Sequence, residues 1–462
     1  MSDRAKRLVV LGAGESGVGA AILAKDKGMS VFVSDFGKVA PKFVEQLDRE
    51  GIRWEQGTHT MEEILKADEV VKSPGIPPTA PVVKALREKN IPILSEIEFA
   101  GRYTDSTMIC ITGSNGKTTT TLLTYHILRK AGVDVGLAGN VGKSLALQVS
   151  RDPHRVYVIE LSSFQLENMY DFHAHIAMML NITPDHLDRY DYKMQNYIDA
   201  KFRILRNMTG NDYFVYWQDC PVIKEQLETR VTTDARLMPF AVKSETSDYN
   251  GRTVSSAAYV DSDGNLEIHT PEGGFAMVRN ALSLPGRHNL YNSMAAALAC
   301  TLMGIDADII REGLGDFPGV EHRLEFTAEI DGVRYINDSK ATNVDSTWYA
   351  LESMNGKNTV LILGGKDKGN DYSQIESLVK EKVKAIVCMG LHNEKLLDFF
   401  TGKVDEIVDT HTLDDAIEAC RRLVSPGDTV LLSPCCASFD LFNSYEDRGE
   451  KFKAKVRSYI NK

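Results

Sequence analysis

Nowhere in the 462 residues do about eighteen apolar side chains run together, so the sequence offers no helix long enough to cross a bilayer. A long apolar stretch of the signal-peptide kind is missing as well, because Met1 to Leu11 passes directly from charged residues into a short apolar segment. A cytoplasmic location without a membrane partner is the expectation. Basic charge is scarce: 64 acidic residues outweigh 53 Lys and Arg, for a net charge of -11. General binding to nucleic acid needs concentrated cations against phosphate and is not expected. The seven cysteines are odd in number and show neither C-x-x-C spacing nor a paired framework. They read as reduced, mostly buried thiols. Internal repeats, coiled-coil heptads and low-complexity tracts are absent too.

What is present is the composition of an ordinary folded enzyme, 43% hydrophobic and 25% charged. The length exceeds what one core fills, and three domains are expected, over residues 1–95, 96–319 and 320–462, in a chain that acts as a monomer. Short apolar runs recur from end to end, including Leu8 to Leu11, Met108 to Ile111, Val156 to Ile159, Val360 to Leu363 and Val430 to Leu432. They alternate with stretches of helical periodicity. This alternation predicts an α/β fold of parallel sheets with helical crossovers, and ligand groups should gather where the strands end. Residues 231–285 read as β-rich, with an Asp263-Gly264 turn predicting a hairpin added to the middle domain.

Two glycine loops carry the chemistry. Gly12-Ala13-Gly14-Glu15-Ser16-Gly17 follows a strand and opens a helix, with Asp35 ending the next strand. Small residues let a diphosphate approach free N–H groups at a helix start, while an acid accepts hydrogen bonds from a nucleoside. The pattern alone leaves a tight structural turn, NAD and another nucleotide all open. The second loop, Gly113-Ser114-Asn115-Gly116-Lys117-Thr118-Thr119, ends in the Gly-Lys-Thr of phosphate loops, although Ile111 stands where the usual spacing puts a glycine. Lys117 is placed to meet the β and γ phosphates and Thr118 to ligate magnesium. Glu160, at the end of a second strand, is a metal candidate, with a helix-capping acid beside Ser162 and Ser163 as the competing reading. His186 falls on a polar loop after a third strand, where a ligand and a structural histidine are both open. Lys201, judged by spacing alone, is a solvated helical lysine.

Further segments join these: Gly139-Asn140-Val141-Gly142, Glu160-Leu161-Ser162-Ser163-Phe164-Gln165-Leu166, Asp185-His186-Leu187-Asp188-Arg189, Leu284-Pro285-Gly286-Arg287-His288-Asn289, Glu321-His322-Arg323, Asn337-Asp338-Ser339-Lys340-Ala341-Thr342-Asn343 and Leu432-Ser433-Pro434-Cys435-Cys436-Ala437-Ser438-Phe439-Asp440. Taken in order through nearly the whole chain, they resemble the Mur ligase family, and within it the D-glutamate-adding enzymes. The resemblance implies a Rossmann-like N-terminal domain for UDP, a central P-loop ATPase-type parallel sheet, and a Rossmann-like C-terminal domain that closes over the site. It implies ATP-dependent joining of D-glutamate to UDP-N-acetylmuramoyl-L-alanine through an acyl phosphate. UDP rather than NAD then falls to Gly14, Glu15, Ser16, Gly17, Asp35, Phe36, Ser73, Gly75 and Asn140. ATP falls to Gly113, Asn115, Gly116, Lys117, Thr118, Thr119, Asn289, Asn292, His322, Arg323 and Asp338. Two magnesium ions fall to Thr118, Glu160, His186 and a carbamylated Lys201, with Lys117, Glu160, His186 and Lys201 as the catalytic set. D-glutamate falls to Lys340, Thr342, Lys368, Ser438, Phe439 and Tyr445. Carbamylation needs a neutral amine, which a lysine near its reference pKa of ~10.4 supplies in roughly one molecule per thousand at physiological pH. Burial beside another cation must therefore lower that value.

Overall fold

The structure, a computed structural model, describes residues 5–249, 251–367 and 369–460. The chain divides into two compact units, the first running through Leu282 and adding Tyr291–Phe317, the second comprising Ser283–Leu290 and the chain from Pro318 onward.

The first unit holds two main sheets. In the five-stranded one the order is Arg53–Gln56, Ser30–Asp35, Arg7–Leu11, Glu69–Lys72 and Ile93–Leu94, all parallel. Leu8 to Leu11 are fully buried, as an apolar run covered on both faces must be. The winding direction reverses between Arg7–Leu11 and Glu69–Lys72, so the crevice beyond their carboxyl ends lies between the Gly12 turn and Ser73. A Cβ on Gly12 would come within 2.7 Å of the Ser73 Cβ.

The nine-stranded sheet places Thr107–Thr112 between Ile176–Met179 and Val156–Glu160, with Val135–Gly139 at that edge. Three neighbouring parallel strands thus deliver the phosphate-type loop, Glu160 and the segment leading to His186 to one sheet edge. Toward the other edge, Ala258–Val260 and Asn265–Thr270 pair antiparallel around the expected Asp263-Gly264 turn. Gly273–Val278 extends this hairpin, and a separate ribbon pairs Thr246–Tyr249 with Arg252–Ser255. Glu96, wholly buried, accepts hydrogen bonds from the Ser144 hydroxyl at 2.7 Å and the Ala146 N–H at 2.6 Å, at the start of the helix Leu145–Arg151. Burial pushes its carboxyl up to about 7.

The second unit is built on a six-stranded sheet in the order Glu325–Ile330, Val333–Asn337, Thr429–Leu432, Thr359–Leu363, Val383–Met389 and Glu406–Thr410. The first pair is antiparallel and the rest parallel. All seven cysteines are free and buried. Among the described residues no helix is long and apolar enough to cross a membrane.

Candidate active site

At the first glycine loop, Gly17 has no room for a side chain, since a Cβ would stand 1.9 Å from the Gly12 carbonyl oxygen. Gly14 is the opposite case. A Cβ there would meet nothing within 4 Å, which leaves an open approach at the N-cap of the helix Glu15–Asp26. Asp35 has work within the loop: its carboxylate accepts the Ala13 N–H and the Gly37 N–H, each at 2.7 Å. Phe36 is 72% exposed, its ring 5.7 Å from that of His59, which in turn meets the Ser34 hydroxyl at 2.7 Å. Glu15 is exposed and Ser16 partly so.

The second loop joins Thr107–Thr112 to the helix Lys117–Lys130, with Gly116 in a left-handed conformation at the cap. Lys117 Nζ donates to the carbonyls of Gly113 and Ser114, both at 2.8 Å. Lys201 Nζ donates to the same Gly113 oxygen at 2.7 Å. Lys201 is 1% exposed, which overturns the solvated reading that spacing suggested. Burial first, and then the charge on Lys117, hold its amine well below the ordinary lysine range, against the opposing pull of Asp185 and Glu160. Its ammonium lies 4.7 Å from the centre of the Tyr197 ring, and the Tyr197 hydroxyl is 2.9 Å from that of Ser114. Asn115 and Asn181 exchange hydrogen bonds at 2.8 and 3.0 Å, tying the loop to the third strand's extension. Thr118 and Thr119 are buried, and a Cβ on Gly116 would collide with Asn292 Oδ1, which packs directly on the loop.

Glu160 divides its carboxylate. Oε1 accepts the Asn140 side-chain amide at 2.8 Å, whereas Oε2 is buried with no hydrogen-bond partner among the described residues. A buried carboxylate oxygen without a partner is costly, and a cation is the natural complement to it. His186 is left-handed at φ 51°, stands 3.6 Å from Asp185 and sets its ring against Phe164 at 5.1 Å. Lys117, Asn140, Asp185, His186, Tyr197 and Lys201 line one cavity of 310 Å³, with Pro74, Gly75 and Phe164 also in its wall. The hydroxyl and carboxylate oxygens suit magnesium or another hard cation, to which the His186 imidazole adds a borderline nitrogen donor. Sequence reasoning gave Tyr197 and Asp185 no role in the site. Tyr197 had a signal, since it sits four residues before Lys201 on one helix and so shares its face.

In the second unit, His322 at φ 62° and Leu324 at φ 44° flank Arg323 in a left-handed turn. The His322 ring is 2.9 Å from the Asn337 amide, and Asp338 accepts from the Leu324 N–H and the Ser433 hydroxyl. Burial raises Asp338 to about 7. Asn289 donates to the Pro285 carbonyl at 2.8 Å. Glu321, His322 and Glu450 come close enough to share an ion, but the Lys453 ammonium pairs with both glutamates and with Glu325 at 3.2 Å, so a cation already stands there. Lys340 Nζ lies 5.3 Å from the centre of the Tyr445 ring; Ser438 is buried, Thr342 half-buried and Phe439 66% exposed. Lys368 lies outside the described residues. Arg448, absent from the sequence reading, is fully buried and donates to the Ser339 hydroxyl and carbonyl at 2.9 and 2.8 Å and to the Cys436 carbonyl at 3.3 Å. It thereby ties together the segments that carry Lys340 and Ser438.

Three family models match in chain order: the MurD-like N-terminal domain of Mur ligases over residues 6–95, the Mur ligase middle domain over 111–300, and the Mur ligase glutamate ligase domain over 322–436. The chain is 60% identical to the UDP-N-acetylmuramoylalanine–D-glutamate ligase of Bacteroides fragilis, covering 98% of this chain and 99% of that one. It is 39% identical to the enzyme of the same name from Salinibacter ruber, over 99% of both. Among solved structures, the UDP-N-acetylmuramate-alanine ligase MurC of Thermotoga maritima superposes with a TM-score of 0.60 at 18% identity, over 98% of this chain and 99% of its own, a likeness of fold.

Proposed function

The chain belongs to the Mur ligase family, and from that membership we propose that it is the ATP-dependent ligase joining D-glutamate to UDP-N-acetylmuramoyl-L-alanine in peptidoglycan precursor synthesis. Relatives at 56 to 60% identity over nearly the full length bear that activity in their names. The observation that carries the reading is the convergence of Lys117 and Lys201 on Gly113 O, in a cavity also lined by Asn140 and His186.

A carboxylate is a poor electrophile, and transfer of a phosphoryl group onto it corrects this. The substrate carboxylate attacks the γ-phosphorus of ATP, the bond to the β–γ bridging oxygen breaks and ADP leaves, while the ammonium of Lys117 offsets charge on the transferring oxygens. Gly113, Asn115, Gly116 and Thr119 shape the phosphate loop, with Asn289, Asn292, His322, Arg323 and Asp338 as further ATP contacts. Thr118, Glu160, His186 and a carbamate on Lys201 would hold two magnesium ions, which supply neutralisation of phosphate charge. Lys201 suits carbamylation because its amine is buried and held toward the neutral form. The amine of D-glutamate then attacks the acyl phosphate and phosphate leaves. Two carboxylates on the amino acid require cationic and hydroxyl donors, a need assigned to Lys340, Lys368, Thr342 and Ser438, with Phe439 and Tyr445 completing the set. The UDP moiety is assigned to Gly14 through Gly17, Asp35, Phe36, Ser73, Gly75 and Asn140. Domain limits of 1–95, 96–319 and 320–462, a cytoplasmic location and a monomer complete the reading.

Phosphate release with UDP-N-acetylmuramoyl-L-alanine and ATP, crossed against D-glutamate, L-lysine and meso-diaminopimelate, tests it. Release should depend on D-glutamate. Equal release with another amino acid would reassign the specificity, and none with any would remove the activity.

A further inference from the structure

Behind the wall of the 310 Å³ cavity, two buried cations hold one short loop by its carbonyl oxygens. Lys72 is 3% exposed, and its Nζ donates to Ser73 O at 3.0 Å and to Ile76 O at 2.8 Å. The Arg189 side chain is 9% exposed and donates through Nη1 to Pro74 O at 2.7 Å. Three of the four carbonyls in residues 73–76 are thus engaged by positive charge. Among the described residues one carboxylate pairs with this couple directly, that of Glu167, which accepts from Arg189 Nη2 at 3.3 Å. The Arg189 guanidinium also lies 4.0 Å from the centre of the Phe164 ring, and Phe164 lines the cavity beside His186.

A carbonyl oxygen turned toward an anionic ligand repels it, whereas one engaged by a buried cation does not face the ligand. Two cations against one carboxylate leave a positive surplus behind Pro74 and Gly75, in a place where burial keeps the local dielectric below that of water. Burial and the neighbouring Arg189 lower the Lys72 amine to about 8, the direction expected of a cation without full compensation.

We propose that Lys72 and Arg189 are positioning residues for the anionic UDP-linked substrate, fixing the loop at residues 73–76 by its carbonyls and supplying a positive field through the cavity wall. The inference rests on the proposed function for the identity of that ligand, and neither residue belongs to the ATP or D-glutamate sets.

The test compares wild type with Lys72→Met, Lys72→Arg and Arg189→Lys. Calorimetric binding of UDP-N-acetylmuramoyl-L-alanine over a salt series is measured alongside KM for ATP and kcat. Lys72→Met should weaken UDP-substrate binding by about tenfold and flatten its salt dependence, with KM for ATP changed by less than about twofold. Lys72→Arg should restore most of the affinity. Should Lys72→Met not fold, Arg189→Lys carries the test, because lysine lacks the planar fork that both stacks on Phe164 and reaches Pro74 O. An unchanged affinity and salt slope in a folded variant, or equal losses for ATP and the UDP substrate, would overturn the proposal. Wild type that binds the UDP substrate without releasing phosphate would instead count against the functional reading alone.

Discussion

Lys117 and Lys201 donate to the same carbonyl oxygen, that of Gly113, at 2.8 and 2.7 Å. Two ammonium groups on one acceptor repel each other, and the fully buried partner yields first: Lys201 is the one driven toward the neutral amine. A neutral amine at that position is the form that takes up carbon dioxide. Lys201→Ala should therefore lose at least about 100-fold in kcat, and a short-chain carboxylic acid added to the assay should restore part of it. Full activity without any addition would defeat the carbamate.

Lys117 has a different task. Its place at the start of a helix suits an anionic phosphoryl group, and the residues assigned to UDP do not include it. Lys117→Ala should abolish phosphate release, while calorimetry finds the affinity for the UDP substrate within about threefold of wild type. Parallel loss of both would mean that the ATP and UDP sites are not separate.

The glycines of the first loop separate folding from binding. Gly17→Ala sets a Cβ against the Gly12 carbonyl and should lower the melting temperature, at a cost of about 2 kcal/mol. Gly14→Ala faces open space, so it should melt like wild type while raising KM for the UDP substrate, because the added methyl stands where a diphosphate must approach. Normal UDP-substrate affinity in Gly14→Ala would remove this loop from the binding site.

Much of this was legible in the sequence because the strands are buried on both faces, and such strands must be written as unbroken apolar runs. The runs at Leu8, Met108, Val156, Val360 and Val430 are all strands. Gly-Lys-Thr at a strand-to-helix junction was equally plain. Where side chains act through tertiary contact, the pattern was silent. Lys201 sits at an ordinary helical position, and its burial comes with tertiary contacts such as the one to the Gly113 carbonyl. Asp35 reads as a nucleoside acceptor, and the pattern did not show that its two oxygens also receive the Ala13 and Gly37 N–H groups of its own loop. Lys72 and Arg448 carried no signal and Arg189 stood in a family segment without a role of its own, since nothing local shows that their partners are backbone carbonyls.

Glu96 predicts a pH dependence. Burial raises its carboxyl from the usual range to about 7, so folding takes up a proton between those values and this carboxyl destabilises the folded state progressively as pH rises through 7. Glu96→Gln keeps an acceptor for Ser144 and Ala146 but does not ionise. Relative to wild type, its stability should therefore gain between pH 5 and pH 8, by up to about 3 kcal/mol. Melting curves that shift in parallel across this range would show that Glu96 does not titrate there.

Arg448 sits on the helix Tyr445–Arg457 with its guanidinium fully buried. One fork holds Ser339, which precedes Lys340, and Cys436, two residues before Ser438. Arg448→Met fills most of the volume but leaves the Ser339 and Cys436 carbonyls without their donors, a loss of about 3 kcal/mol. Because those carbonyls anchor the segments bearing Lys340 and Ser438, KM for D-glutamate should rise well beyond KM for the UDP substrate. Arg448→Lys tests whether charge alone suffices: a lysine reaches one carbonyl but cannot span both, so it should recover stability in part and D-glutamate affinity hardly at all. Recovery of both together would mean that the positive charge, and not the two-sided grip, organises the amino-acid site.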